Sequence, residues 1–88
     1  MVEKSVILND INTAKAFVAA ANKAPFEIDV VSGRHKVDGK SILGIFSLDL
    51  SKPVSVIVIA DAAEAGEFLD DIAPYIANER VDGYAGLY

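Results

Sequence analysis

Eighty-eight residues leave room for one small domain around a single modest core, and a balance of 52% hydrophobic to 24% charged residues is that of a globular chain. The absence of cysteine excludes a disulfide scaffold, cysteine-ligated zinc, iron–sulfur clusters and any thiol nucleophile, and it fits a reducing cytosol. Thirteen acidic residues against eight basic ones give a net charge of −5, which argues against a phosphate backbone as partner, so no nucleic-acid binding is expected.

Met1-Val2-Glu3-Lys4 carries neither a basic leader nor a long apolar stretch, and the apolar run Val56 to Ala60 is far too short to span a bilayer. The expectation is a soluble cytoplasmic protein without a membrane partner. Ser5 to Leu8 is a short β-branched and aliphatic run, predicted as a strand, and Asn9-Asp10 after it are good helix N-caps. From Ile11 the apolar period changes. Ile11, Ala14, Phe17, Val18 and Ala21 fall on one side of a predicted helix that ends at Asn22-Lys23-Ala24-Pro25, because the residue before a proline is pushed out of the helical region.

Phe26 to Val30 alternates with the period of a strand that has one buried face. Ser32-Gly33 opens a turn, and Arg34 to Asp38 reads as the return strand of a hairpin. After Gly39-Lys40, Ser41 is placed to cap a short helix carrying Ile42, Leu43, Ile45 and Phe46. Ser51-Lys52-Pro53 is a turn, and Val54 to Ala60 is the strongest predicted strand. Asp61-Ala62-Ala63-Glu64 has the spacing of a capping box. The helix predicted after it buries Ala65, Phe68, Leu69, Ile72 and Ile76, turns Glu64, Glu67, Asp70 and Asp71 outward, and meets Pro74 near its last turn. The order β-α-β-β-α-β-α predicts an α+β domain over residues 1–77, a small antiparallel sheet with its helices on one face. Residues 78–88 form a C-terminal tail with Val81, Tyr84, Leu87 and Tyr88.

Few residues offer chemistry. The acidic residues of the last helix are explained by a solvated helix face, and no metal site or cofactor is expected. His35 is the single histidine, set in the predicted hairpin, and no flanking motif supports a catalytic triad. Gly33 to Ser41 ends in the Gly-Lys-Ser of a phosphate-binding loop, but five residues separate its glycines where that motif needs four. Ser41 stands out for another reason. A hydroxyl at a helix N-terminus is a place where an added phosphate would meet unpaired N–H groups.

Lys40-Ser41-Ile42-Leu43-Gly44-Ile45-Phe46-Ser47-Leu48-Asp49-Leu50 closely resembles the central segment of HPr, the histidine-containing phosphocarrier family of the bacterial sugar phosphotransferase system. The resemblance extends from about Lys4 to Ile76. It implies that family's open-faced β-sandwich, a four-stranded antiparallel sheet with three helices on one face, and a protein that is not an enzyme. In the family a histidine at the start of the first helix carries the phosphate, within Gly-Leu-His-Ala-Arg-Pro-Ala. Counting back from Ser41 without gaps puts Asp10 where that histidine would be, Asn12 where the arginine would be and Thr13 where the proline would be. Transfer from phosphoenolpyruvate is therefore expected to be lost, as in the paralogue catabolite repression HPr.

By resemblance, Ser41 is the serine that a dedicated kinase phosphorylates in carbon catabolite control. Ile42, Leu43 and Phe46 match the apolar patch through which such proteins dock on partners, which would be HPr kinase, a transcriptional regulator or phosphotransferase-system enzymes. Two alternatives stand beside this reading. One is a phosphocarrier with Asp10 as an unconventional acceptor. The other is a degenerate paralogue acting as a protein-binding or dimerisation module, with Ile7, Ile57 and Ile59 on the open face of the sheet covered by the tail, within the chain or across a homodimer.

Overall fold

The computed structural model describes residues 1–77. Its elements are β1 (Val2–Val6), α1 (Ile11–Lys23), β2 (Ile28–Ser32), β3 (His35–Asp38), α2 (Ile42–Phe46), β4 (Val54–Val58) and α3 (Gly66–Ile72), with a 3-10 turn at Ala73–Tyr75. The four strands make one antiparallel sheet in the order β1-β4-β2-β3, with the three helices on one face and the other face open. The α+β architecture expected from the sequence is the one observed.

β4 explains the layering. Its Val54, Val56 and Val58 are buried under the helices, while Ser55 and Ile57 point to the open face. As an inner strand it pairs on both sides, with β1 through Val6↔Val54 to Val2↔Val58 and with β2 through Ile28↔Val58 to Val31↔Ser55. The helices answer with Phe17, Ile45, Phe68 and Ile72, and each such fully buried side chain is worth about 1.5–3 kcal/mol. Phe68 gathers two rings edge-to-face, Phe17 at 5.9 Å and Phe26 at 6.3 Å between centroids.

Several boundaries differ from the predicted ones. β1 starts at Val2 and ends before Ile7, because Glu3 and Ser5 face the open side and a polar-interrupted edge strand lacks the apolar run that marked Ser5 to Leu8. β2 begins at Ile28 rather than Phe26, whose ring instead packs on Phe68 just after Pro25. β4 stops at Val58. Ile11 is 65% exposed: the buried stripe of α1 starts one turn later, at Ala14. The capping box does close, with Glu64 N–H donating to Asp61 Oδ1 at 2.8 Å and Asp61 N–H to Glu64 Oε1 at 3.4 Å, yet it closes a turn and α3 proper begins at Gly66. Leu69 is half-buried. Pro74 tightens the end of α3 into the 3-10 turn, so Ile76 leaves the helix and lies opposite Val6 beside β1. The predicted tail, with Val81, Tyr84, Leu87 and Tyr88, lies outside the described residues.

Candidate functional site

Ser41 is positioned by the turn that leaves β3. Its N–H donates to Asp38 O at 3.0 Å, Lys40 N–H to Asp38 Oδ1 at 2.9 Å and Gly39 N–H to Ile28 O at 2.7 Å. The three amides of this Gly-Lys-Ser are thus bonded within the fold and form no phosphate cradle. Gly39 is required by crowding, since a Cβ there would stand 2.8 Å from Ile28 Cγ2. With extended backbone angles, Ser41 becomes the N-cap of α2: its Oγ accepts from Gly44 N–H at 3.1 Å and its carbonyl from Ile45 N–H at 3.0 Å.

Only five residues long, α2 is held by packing more than by its own hydrogen bonds. Ile45 is fully buried, Leu48 nearly so, and Ile42 is half-buried against the core. Leu43, 79% exposed, and Phe46, 43% exposed, point to solvent. Of the three predicted docking residues, two therefore form the outer surface of α2 and one leans inward. Gly44 lets this surface lie close to the sheet, because a Cβ there would be 3.2 Å from Val37 Cβ and 3.3 Å from Ser41 Oγ.

A polar staple fastens the Ser41 turn to the C-terminal end of α1. Lys40 Nζ donates to Ala24 O at 2.8 Å, and Asn22 Nδ2 donates both to Val18 O at 2.9 Å and to Lys40 O at 3.0 Å. A cation on the last carbonyls suits the negative end of a helix dipole. In the sequence Asn22 shows only as a helix-stop signal, and nothing local reveals its reach to residue 40.

Asp10 caps α1 at the opposite end, with Oδ1 accepting from Thr13 N–H at 2.7 Å. Asn22 is twelve residues on, about 18 Å along the helix axis, so the fold does not bring Asp10 and Ser41 together at one helix end. Asn12 is exposed in the first turn. His35 opens β3 at the hairpin tip, opposite Ser32 on the sheet's outer strand, and Gly33 supplies the turn's left-handed residue with φ of 60°. On α3, Asp71 pairs with Lys23 at 3.2 Å, and among the described residues no three potential metal ligands converge. After α2, hydrogen bonds from the Ser51 hydroxyl and N–H hold the exposed Asp49 carboxyl below its ordinary pKa.

Known proteins resemble this chain in sequence and fold. The family model described as the PTS HPr component phosphorylation site matches residues 10–78. The HPr-like protein Crh of Bacillus subtilis (strain 168) is 33% identical over 66 residues, which cover 75% of this chain and 78% of Crh. Among solved structures, HPr-C-His from Thermoanaerobacter tengcongensis matches with a TM-score of 0.66 and 28% identity, over 83% of this chain and 92% of that one. The phosphocarrier protein HPr from Bacillus anthracis str. Ames matches with a TM-score of 0.64 and 27% identity, over 86% and 96%. These proteins are phosphocarriers and their relatives rather than enzymes, and this chain belongs to the HPr family.

Proposed function

We propose that this chain is a regulatory member of its family, a cytoplasmic protein-binding module switched by phosphorylation of Ser41 and unable to carry phosphate on a histidine. The observation that carries this reading is the difference between its two helix caps. At α1 the cap is the carboxylate of Asp10, already hydrogen-bonded to Thr13 N–H, and the single imidazole of the chain, His35, sits on β3. At α2 the cap is the hydroxyl of Ser41, beside the exposed Leu43 and Phe46. The similarity to the HPr-like protein Crh supports a regulatory rather than a carrier role.

In the proposed reaction the Ser41 Oγ attacks the γ-phosphorus of ATP, the bond to the β-phosphate oxygen breaks, ADP leaves and the hydroxyl proton passes to a base on the kinase. The phosphoryl group adds about −1.5 to −2 of charge at pH 7. Lys40 is the nearest cation in sequence, and the phosphate would compete with Ala24 O for its ammonium. Partners that dock on Ile42, Leu43 and Phe46, whether a transcriptional regulator or phosphotransferase-system enzymes, would read that charge at the edge of their contact.

The test is a paired phosphorylation assay with mass mapping. HPr kinase and ATP should place one phosphoryl group on Ser41, and enzyme I with phosphoenolpyruvate should place none. An unmodified Ser41 would sink the proposal. Label from phosphoenolpyruvate that disappears in Asp10→Ala would instead assign an acyl-phosphate carrier.

A further inference from the structure

A cleft of about 310 Å³ opens between the C-terminal end of α1 and the start of α3. Its floor is apolar: Ala20, Ala24 and Phe68 are buried, and Phe26, set edge-to-face on Phe68, is half-buried. Glu64, Glu67, Asp71 and Lys23 are exposed at its rim. Three acidic residues that the helical pattern turns outward thus border an apolar hollow instead of a plain solvated face.

The rim is short of positive charge. Three carboxylates stand against one ammonium, and that ammonium is already paired, with Lys23 Nζ 3.2 Å from Asp71 Oδ2. Glu67 precedes Asp71 by four residues on α3, a like-charge spacing that costs helix stability. Among the described residues neither Glu64 nor Glu67 has an ion pair, and the Glu64 carboxylate accepts only the long 3.4 Å bond from Asp61 N–H. The last carbonyls of α1, at the negative end of its dipole, add to the same field. No three of the potential metal ligands among the described residues converge, so carboxylates spaced in this way suit a broad organic cation and not a metal ion.

We propose that this cleft between α1 and α3 is a docking site for an arginine side chain of a partner protein. The aliphatic stem of an arginine covers an apolar floor, while its planar guanidinium stacks on an aromatic ring such as Phe26 and bonds two carboxylates at once. The hollow is at the small end of the range for ligand clefts, which fits one side chain better than a whole small molecule. A net charge of −5 steers a basic partner toward the rim and disfavours a second copy of the same chain. Ala24 belongs to the cleft and its carbonyl also holds Lys40 Nζ, so the site adjoins the Ser41 turn, yet it needs no phosphate on Ser41.

The experiment is an NMR titration of the full-length, unphosphorylated chain with the peptide acetyl-Leu-Arg-Leu-amide, and with the same peptide carrying uncharged citrulline in place of arginine. The arginine peptide should shift the amides of Lys23, Phe26, Glu67 and Asp71 saturably at millimolar concentration and bring its side-chain methylenes into contact with the Phe26 ring, and the citrulline peptide should do neither. Glu67→Gln should weaken binding by about two- to fivefold. Glu64→Gln/Glu67→Gln should weaken it further, and Asp70→Asn, on α3 but outside the cleft, should leave it unchanged. Absence of saturable shifts at the cleft, equal binding of the citrulline peptide, unchanged affinity in the double variant, or an equal loss in Asp70→Asn overturns the proposal. So do contacts, in the peptide-free protein, from the Phe26 ring to an arginine of the same chain or of a differently labelled second copy, which would give the cleft to that occupant.

Discussion

The starts of α1 and α2 solve the same problem with different chemistry. Each ends an extended segment with a short oxygen-bearing side chain that accepts the N–H three residues on, at 2.7 Å for Asp10 and 3.1 Å for Ser41. Thirteen residues of α1 follow one and five of α2 the other. The carboxylate complements the helix dipole and strengthens its hydrogen bond by its charge. The hydroxyl gives an uncharged cap of comparable strength and a nucleophile that forms a stable phosphate ester. As helix caps the two are nearly interchangeable, and what separates them is the reaction each can enter.

The largest effects break the packing that presents each cap. Phe17→Ala should cost about 3–5 kcal/mol and Ile45→Ala about 2–5 kcal/mol, measured by urea denaturation, since both side chains are fully buried. If Ile45→Ala costs far less, α2 does not depend on its buried side chain. Next come the caps. Asp10→Ala and Ser41→Ala should each lose about 0.5–2 kcal/mol, whereas Asp10→Ser should stay within about 0.5 kcal/mol of the parent because serine caps as well as aspartate. Ser41→Ala should also abolish kinase labelling. Leu43→Ala removes an exposed side chain and should move stability by no more than about 0.5 kcal/mol, while weakening the binding of any partner that docks on α2, as calorimetry would show.

The smallest effect concerns pH. Asp49 has a lowered pKa in the folded chain, so its contribution is present above the ordinary carboxylate pKa and fades as pH falls through that range toward the lowered value. Asp49→Asn should flatten that part of the stability-against-pH curve, with its small loss of stability present near pH 7 and vanishing at low pH, as denaturation at a series of pH values would show.

How much the sequence reveals follows the same physics. β4 is legible because its valines form one face and its neighbours are the most β-prone in the chain. Ser41 is legible because a cap before a short apolar run is local information, and the motif around it is distinctive. β1 is not, since an edge strand with Glu3 and Ser5 outward draws its stability from pairing with β4, a partner some fifty residues away. The exposure of Ile11 is likewise hidden: its spacing fits the buried stripe, and only the extent of the packed layer shows that the first turn lies beyond it. Asn22 and Gly44 act across elements, so their roles appear only when α1, β3 and α2 are assembled.

The geometry of Ser41 Oγ has one more consequence. Toward Gly44 the oxygen spends a lone pair, not its proton. A second lone pair remains for attack on phosphorus, and the proton is free to leave. Esterification at this atom therefore need not unwind α2, and the ester oxygen keeps its hold on the Gly44 amide. Leu43 and Phe46 stay where they were, so a partner would sense a changed field over an unchanged shape, and reversal by a phosphatase would require no refolding.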